Sequence, residues 1–174
     1  MNKLMRQFLV VGVFACMLGW SEAGAPPQQA KKKEDTSKYG KYIITDLVRR
    51  IKEYGGPSLL SHEGELKAPV SIGYHCVTKP ILFDGTHSHN NPELLCFIGG
   101  NPLDITDLGA EIDVELGAEH EKHLITQTSC ISIPSNLPHC PLNIRKVTKP
   151  IIFLEISLTS KYETKEIEKP GAKK

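Results

Sequence analysis

The chain has 174 residues, 21 Lys and Arg against 20 Asp and Glu, and 40% hydrophobic residues, enough for one well-cored domain and too little for two. A net charge of +1, with Lys scattered among Glu, leaves no basic stripe for a phosphate backbone and no acidic face, which excludes nucleic acid as a partner. Fourteen Gly, twelve Pro and only 6% aromatic residues favour many turns between short elements and place the chain in the all-β class.

In chain order, Lys3 and Arg6 precede an apolar run over 8–20 and then the small residues around Ala23, the pattern of a secretory signal over 1–23 with the mature chain starting at Gly24. The run is shorter than the roughly 20 residues a membrane-spanning helix needs. No other segment comes close, so the mature chain is expected without a transmembrane span, in the periplasm or outside the cell. A lipid anchor through Cys16 is the alternative for this segment. Residues 24–40 are rich in Pro, Gln and Lys and read as a flexible linker. Over 42–54, the apolar residues Ile43, Ile44, Leu47, Val48, Ile51 and Tyr54 recur at helical spacing before Gly55-Gly56, which predicts one N-terminal helix. Short β-type runs follow at 70–77, 93–98, 110–116, 123–133, 142–147 and 151–158, parted by Pro, Gly and Asn clusters. Within them Glu111, Asp113 and Glu115 alternate strictly with Ala110, Ile112, Val114 and Leu116, so one face is wet and the other buried. A single domain is therefore expected over 41–158, with a charged, disordered tail over 159–174.

Once the leader is set aside, four cysteines remain: Cys76, Cys96, Cys130 and Cys140. In an oxidising compartment they permit up to two disulfides in three pairings; buried strand thiols are the other reading. Their spacing makes no zinc knuckle.

The chemistry sits at His87-Ser88-His89, at Glu93, and at His139 far downstream. Two histidines one residue apart project to the same face of a strand and can reach one ion, and Glu93 can return to it from the next strand. Three imidazoles and one carboxylate suit iron, manganese, zinc, nickel or copper and not an all-oxygen ion such as calcium. Taken alone, a His-x-His pair is better explained by a polar surface loop. His62 falls in a loop, and His120 and His123 in a solvated hairpin turn. His75 lies in a strand in which either His75, or Tyr74 with Cys76, faces the interior, so it is a candidate for a substrate pocket.

The surrounding pattern resembles the cupin superfamily. Its first motif, His-x-His followed by Glu and then Gly, is matched by His87, His89, Glu93 and Gly100, and its second by Pro134, His139 and Asn143. Asn136 stands where that second motif has Gly, which Asn can replace in a left-handed turn. Ile81 and Thr128 stand where two further glycines usually open the motifs. The resemblance implies a cupin-type double-stranded β-helix, a small jelly-roll barrel, holding one divalent transition metal ion through His87, His89, Glu93 and His139. It also implies pairing into a homodimer.

Four protein ligands leave at most two positions of an octahedral shell open to water, dioxygen or a chelating small molecule. A metal-dependent enzyme acting on a small oxygen-rich substrate is one expectation; a non-catalytic cupin that binds a small molecule or metal outside the cytoplasm is the other. Within the pocket, Arg145 is a candidate substrate anchor, since counting by twos from His139 through Asn143 brings it to the ligand face if the strand is regular beyond Pro141. A strand arginine facing solvent is the alternative. Counting the same way turns Cys140 away from the cavity.

Overall fold

The computed structural model describes residues 37–167. The expected signal at 1–23, Cys16, most of the 24–40 linker and the last seven tail residues lie outside them. In chain order the strands are β1 (Val48–Arg50), β2 (Gly55–Ser61), β3 (Ser71–Val77), β4 (Ile81–Phe83), β5 (His87–Ser88), β6 (Glu93–Gly99), β7 (Asp107–Leu116), β8 (Glu121–Gln127), β9 (Ser129–Ile133), β10 (His139–Val147), β11 (Ile151–Ser157) and β12 (Lys165–Glu166). They form two antiparallel sheets ordered β1-β2-β3-β11-β6-β9 and β12-β5-β10-β7-β8, with β4 also paired to β10. The architecture is the all-β, jelly-roll type.

The alternation visible in the sequence builds the core. Leu95 and Phe97 of β6, Ile151 and Phe153 of β11, Ile112 and Val114 of β7 and Leu142 and Ile144 of β10 all point inward and are almost fully buried. The rings of Phe97 and Phe153 stack at 4.9 Å and 8°. Burial of such side chains, at roughly 1.5–3 kcal/mol each, is the main force closing one sheet on the other.

Three expectations are corrected. No helix covers 42–54: a 3-10 turn at Gly40–Tyr42 is followed by extended chain and by β1, whose Val48 and Arg50 lie opposite Leu59 and Pro57 of β2. The apolar spacing was coincidental, because Ile43 and Val48 are exposed while Leu47 and Tyr54 are buried, and β-branched residues suit an edge strand as well as a helix. The run 123–133 is two strands, since β8 pairs with β7 in the second sheet and β9 with β6 in the first; the chain changes sheets at Thr128. The tail over 159–167 packs on the barrel, where Lys165 and Glu166 pair with Ser88 and His87.

Cys96 and Cys130 stand directly opposite one another on β6 and β9 with their sulfurs 2.8 Å apart; Cys76 lies on β3 and Cys140 on β10. Incubation with oxidised glutathione is expected to close Cys96 to Cys130 alone, the two thiols passing two electrons and two protons to the glutathione disulfide. Peptide mapping checks this, and a bridge that involves Cys76 or Cys140 instead would contradict the register.

Candidate metal centre

The three histidines converge because two strands that carry them are neighbours. In the pairing of β5 with β10, His87 lies directly opposite His139, and His89, two residues on, keeps to the same face. Ring centroids are 4.3 Å apart for His87 and His139, 5.0 Å for His87 and His89, and 5.1 Å for His89 and His139. A nitrogen from each of the three falls within 4.8 Å of the others, and among the described residues this is the one group of three His, Cys, Asp or Glu side chains so placed. Glu93 arrives from the other sheet at the start of β6. Its Oε2 lies 3.2 Å from His89 Nε2 and 3.3 Å from His139 Nε2, while Ser157 Oγ donates to its Oε1 at 2.9 Å.

The loops make the ligand arrangement rather than merely permit it. Asn136, in the left-handed region at φ 63°, donates its N–H to the carbonyl of His89 at 2.7 Å and so ties the turn before β10 to the first histidine pair. A Cβ on Gly100 would run into the carbonyl of Pro150, so this position accepts only glycine where β6 leaves the sheet.

Each imidazole also has its outer nitrogen committed. The Nδ1 of His87 meets the carbonyl of Gly85 at 3.3 Å, that of His89 the carbonyl of Glu163 at 2.7 Å and that of His139 the carbonyl of Leu137 at 3.0 Å. A carbonyl only accepts, so Nδ1 carries the proton in all three and Nε2 is left as a lone pair directed inward. Two such lone pairs beside the Glu93 carboxylate form a cluster of acceptors that lacks a positive centre. Consistent with this, the buried His139 Nε2 finds no hydrogen-bond donor. Donors about 2.1 Å from one ion at adjacent positions lie about 3.0 Å apart, close to the 3.2 and 3.3 Å separations found. The residues present fit a divalent transition ion.

The electrostatics agree. Burial alone would raise the Glu93 carboxyl, but His139 and His89, when their inner nitrogens carry a proton in the place of the ion, and the Ser157 hydroxyl hold it well below the usual carboxylate range. Burial, and then the neighbouring His139, push His87 below the usual histidine value, which keeps it a neutral ligand. For His89, burial works downward but the Glu93 carboxylate and the Glu163 carbonyl raise it: the pull that an ion would answer acts here on a proton.

The centre opens into a cavity of about 250 Å³, walled by Phe83, Leu95, Leu142 and Phe153 and carrying Tyr54, His62, Tyr162 and Glu155. A larger groove of about 400 Å³ beside Asn91, Thr159 and Lys165 holds no comparable cluster of donors among the described residues.

The other expected site residues lie elsewhere. Arg145 is outside the cavity: a register shift between Ile144 and Lys146 turns it to the surface, where its guanidinium meets Glu111 at 3.0 Å and Asp113 at 3.9 Å. It anchors nothing in the pocket. His75 does face inward but does not line the cavity, being packed behind it against the Tyr54 ring at 3.9 Å. Cys140, expected to point away, lines the cavity, because a register shift between His139 and Leu142 and a φ of 70° at Cys140 break the alternation. Burial raises its thiol to about 12, which makes it a poor ligand beside the imidazoles.

Glu155, Tyr162 and His62 are functional candidates that the sequence reading passed over. For Glu155 a signal was present, since counting by twos from Ile151 and Phe153 places it on the inward face. Tyr162 had none: it sits in a run of Lys and Glu, yet its ring stacks on His62 at 4.7 Å and its hydroxyl approaches His89 Nε2 at 3.5 Å.

No protein-family model and no curated protein matches the chain. Among solved structures it is similar to an oxalate decarboxylase of Bacillus subtilis studied for its Mn(II) centres, at 15% identity and a TM-score of 0.46, over 67% of this chain and 28% of that one. It is also similar to a conserved protein of unknown function from Streptococcus pyogenes, at 15% identity and a TM-score of 0.35, over 54% and 66% of the two chains. A protein from Photorhabdus luminescens is similar at 21% identity and a TM-score of 0.35, over 52% and 62%. The chain thus spans less than a third of the oxalate decarboxylase.

Proposed function

We propose that this is an exported, metal-binding cupin that holds one divalent first-row transition ion through His87, His89, Glu93 and His139 and uses it as a metal-dependent enzyme on a small oxygen-rich molecule. The observation that carries the reading is the set of inward Nε2 lone pairs, each fixed by a backbone carbonyl on its far nitrogen, around an ionised buried carboxylate. A bound ion would supply Lewis-acid polarisation or an acidified water. The chain's own contribution is to hold the four donors in place, to wall the site with Phe83, Leu95, Leu142 and Phe153, and to leave one side open to the cavity.

Openness is what separates an enzyme from a closed structural site. The Mn(II)-loaded protein is expected to enhance water proton relaxation as an ion with exchangeable water does, and a small chelating diol should reduce that enhancement. An ion with no exchangeable water would support the non-catalytic reading. Export rests on the amino-terminal pattern, and sequencing of the purified mature protein is expected to begin at Gly24.

Protons compete with the ion for the same lone pairs. Imidazoles take up protons at higher pH than carboxylates, so they are the groups whose protonation first releases the metal. Stability contributed by the ion should therefore be full at neutral pH and lost as the pH falls below about 5. Metal retained after dialysis at pH 4 would contradict this assignment of ligands.

A further inference from the structure

We propose that Glu155 makes this site select small neutral hydroxylated ligands over carboxylates, an inference that rests on the metal reading above and names the ligand class of the same cavity. Glu155 projects from β11 into the cavity that holds the histidines, its side chain only 17% exposed. One carboxylate oxygen is held from behind: His75 Nε2 lies 3.3 Å from Oε2, and His75 Nδ1 lies 2.9 Å from Ser58 Oγ. A carboxylate only accepts, so Nε2 is the donor to it, and in the neutral ring Nδ1 then accepts from the Ser58 hydroxyl. Space for this arrangement is provided by Gly73, opposite Glu155 on β3. A Cβ there would stand 2.6 Å from Glu155 Oε2 and 2.9 Å from His75 Nε2.

Among the described residues no Lys or Arg lines the cavity, and Arg145 is committed to Glu111 on the outer surface. The charge count then decides the ligand. A divalent ion with three neutral imidazoles and Glu93 carries +1, and the Glu155 carboxylate cancels it. A neutral ligand leaves the cavity neutral, whereas a carboxylate leaves an uncompensated negative charge among Phe83, Leu95, Leu142 and Phe153. Glu155, which only accepts, also offers a charge-assisted hydrogen bond to a ligand hydroxyl. His75 and Ser58 are positioning residues that act through Glu155.

Lactate and lactamide test this as a matched pair, alike in size and hydroxyl group and different in charge. Metal content is measured first, and the affinity of the loaded full chain for each is then read by calorimetry. The wild type is expected to bind lactamide at least as tightly as lactate, the reverse of what the bare ion prefers in water. Glu155→Gln, with its metal retained, should shift the ratio of the two affinities toward lactate by about tenfold as the like charge is removed; the loss of the hydroxyl contact is common to both ligands and cancels. A wild-type chain that holds no ion overturns the metal reading, and this inference with it, before any ligand is added. A wild type that holds the ion and prefers lactate, or a loaded Glu155→Gln whose ratio moves by less than twofold, overturns this inference alone. The wild-type comparison stands even if the variant fails to fold.

Discussion

His139→Ala should lower affinity for the ion by at least about a hundredfold, because it removes one of three imidazoles from a buried site and leaves a gap among the donors. With free ion at a hundred times the wild-type dissociation constant, binding stabilises the fold by about 2.7 kcal/mol, which for a domain of this size is roughly 10 °C in Tm. The variant should lose nearly all of that metal-dependent shift. In the absence of metal the same substitution should cost less, since the wild-type His139 Nε2 is itself unpartnered there. Thermal scans with and without added ion separate the two effects. An equal metal-induced rise in both proteins would remove His139 from the ligand set.

Phe153→Ala is expected to be the most damaging single truncation for the fold, at about 3–5 kcal/mol. Its ring is 1% exposed, stacks on Phe97 and also walls the cavity, so its loss opens a void shared by the core and the site. Chemical denaturation gives the stability change, and metal affinity measured on the fraction still folded should fall far less than in His139→Ala. A cost below about 1 kcal/mol would mean that the two sheets do not depend on this stack.

The parts of the molecule legible in the sequence are those in which alternation and local chemistry agree. Ile112, Val114, Phe97 and Phe153 fall on the inward face by counting in twos, and the spacing of His87 and His89 survives because β5 pairs regularly with His139. Asn136 takes the left-handed conformation its type allows. What escaped depends on departures from regularity. Register shifts in β10 carry Cys140 into the cavity and Arg145 out of it; Pro141 marks where the alternation can fail, but not which side chains then change face. The segment 42–54 satisfied a helical period and yet lies as an edge strand and turn, tertiary pairing with β2 having decided between two patterns that fit. Tyr162 looks like part of a solvated tail because composition reports only average polarity, whereas one aromatic ring among charges is enough to fasten that segment over His62 and His89.

The central claim is that the three imidazoles and Glu93 hold an ion, and elemental analysis of the full chain purified without chelators tests it most directly. The account predicts about one first-row transition ion per folded chain, lost in His139→Ala. A folded chain that carries no such ion, and whose Tm does not move when iron, manganese, nickel, zinc or copper is added, would contradict it.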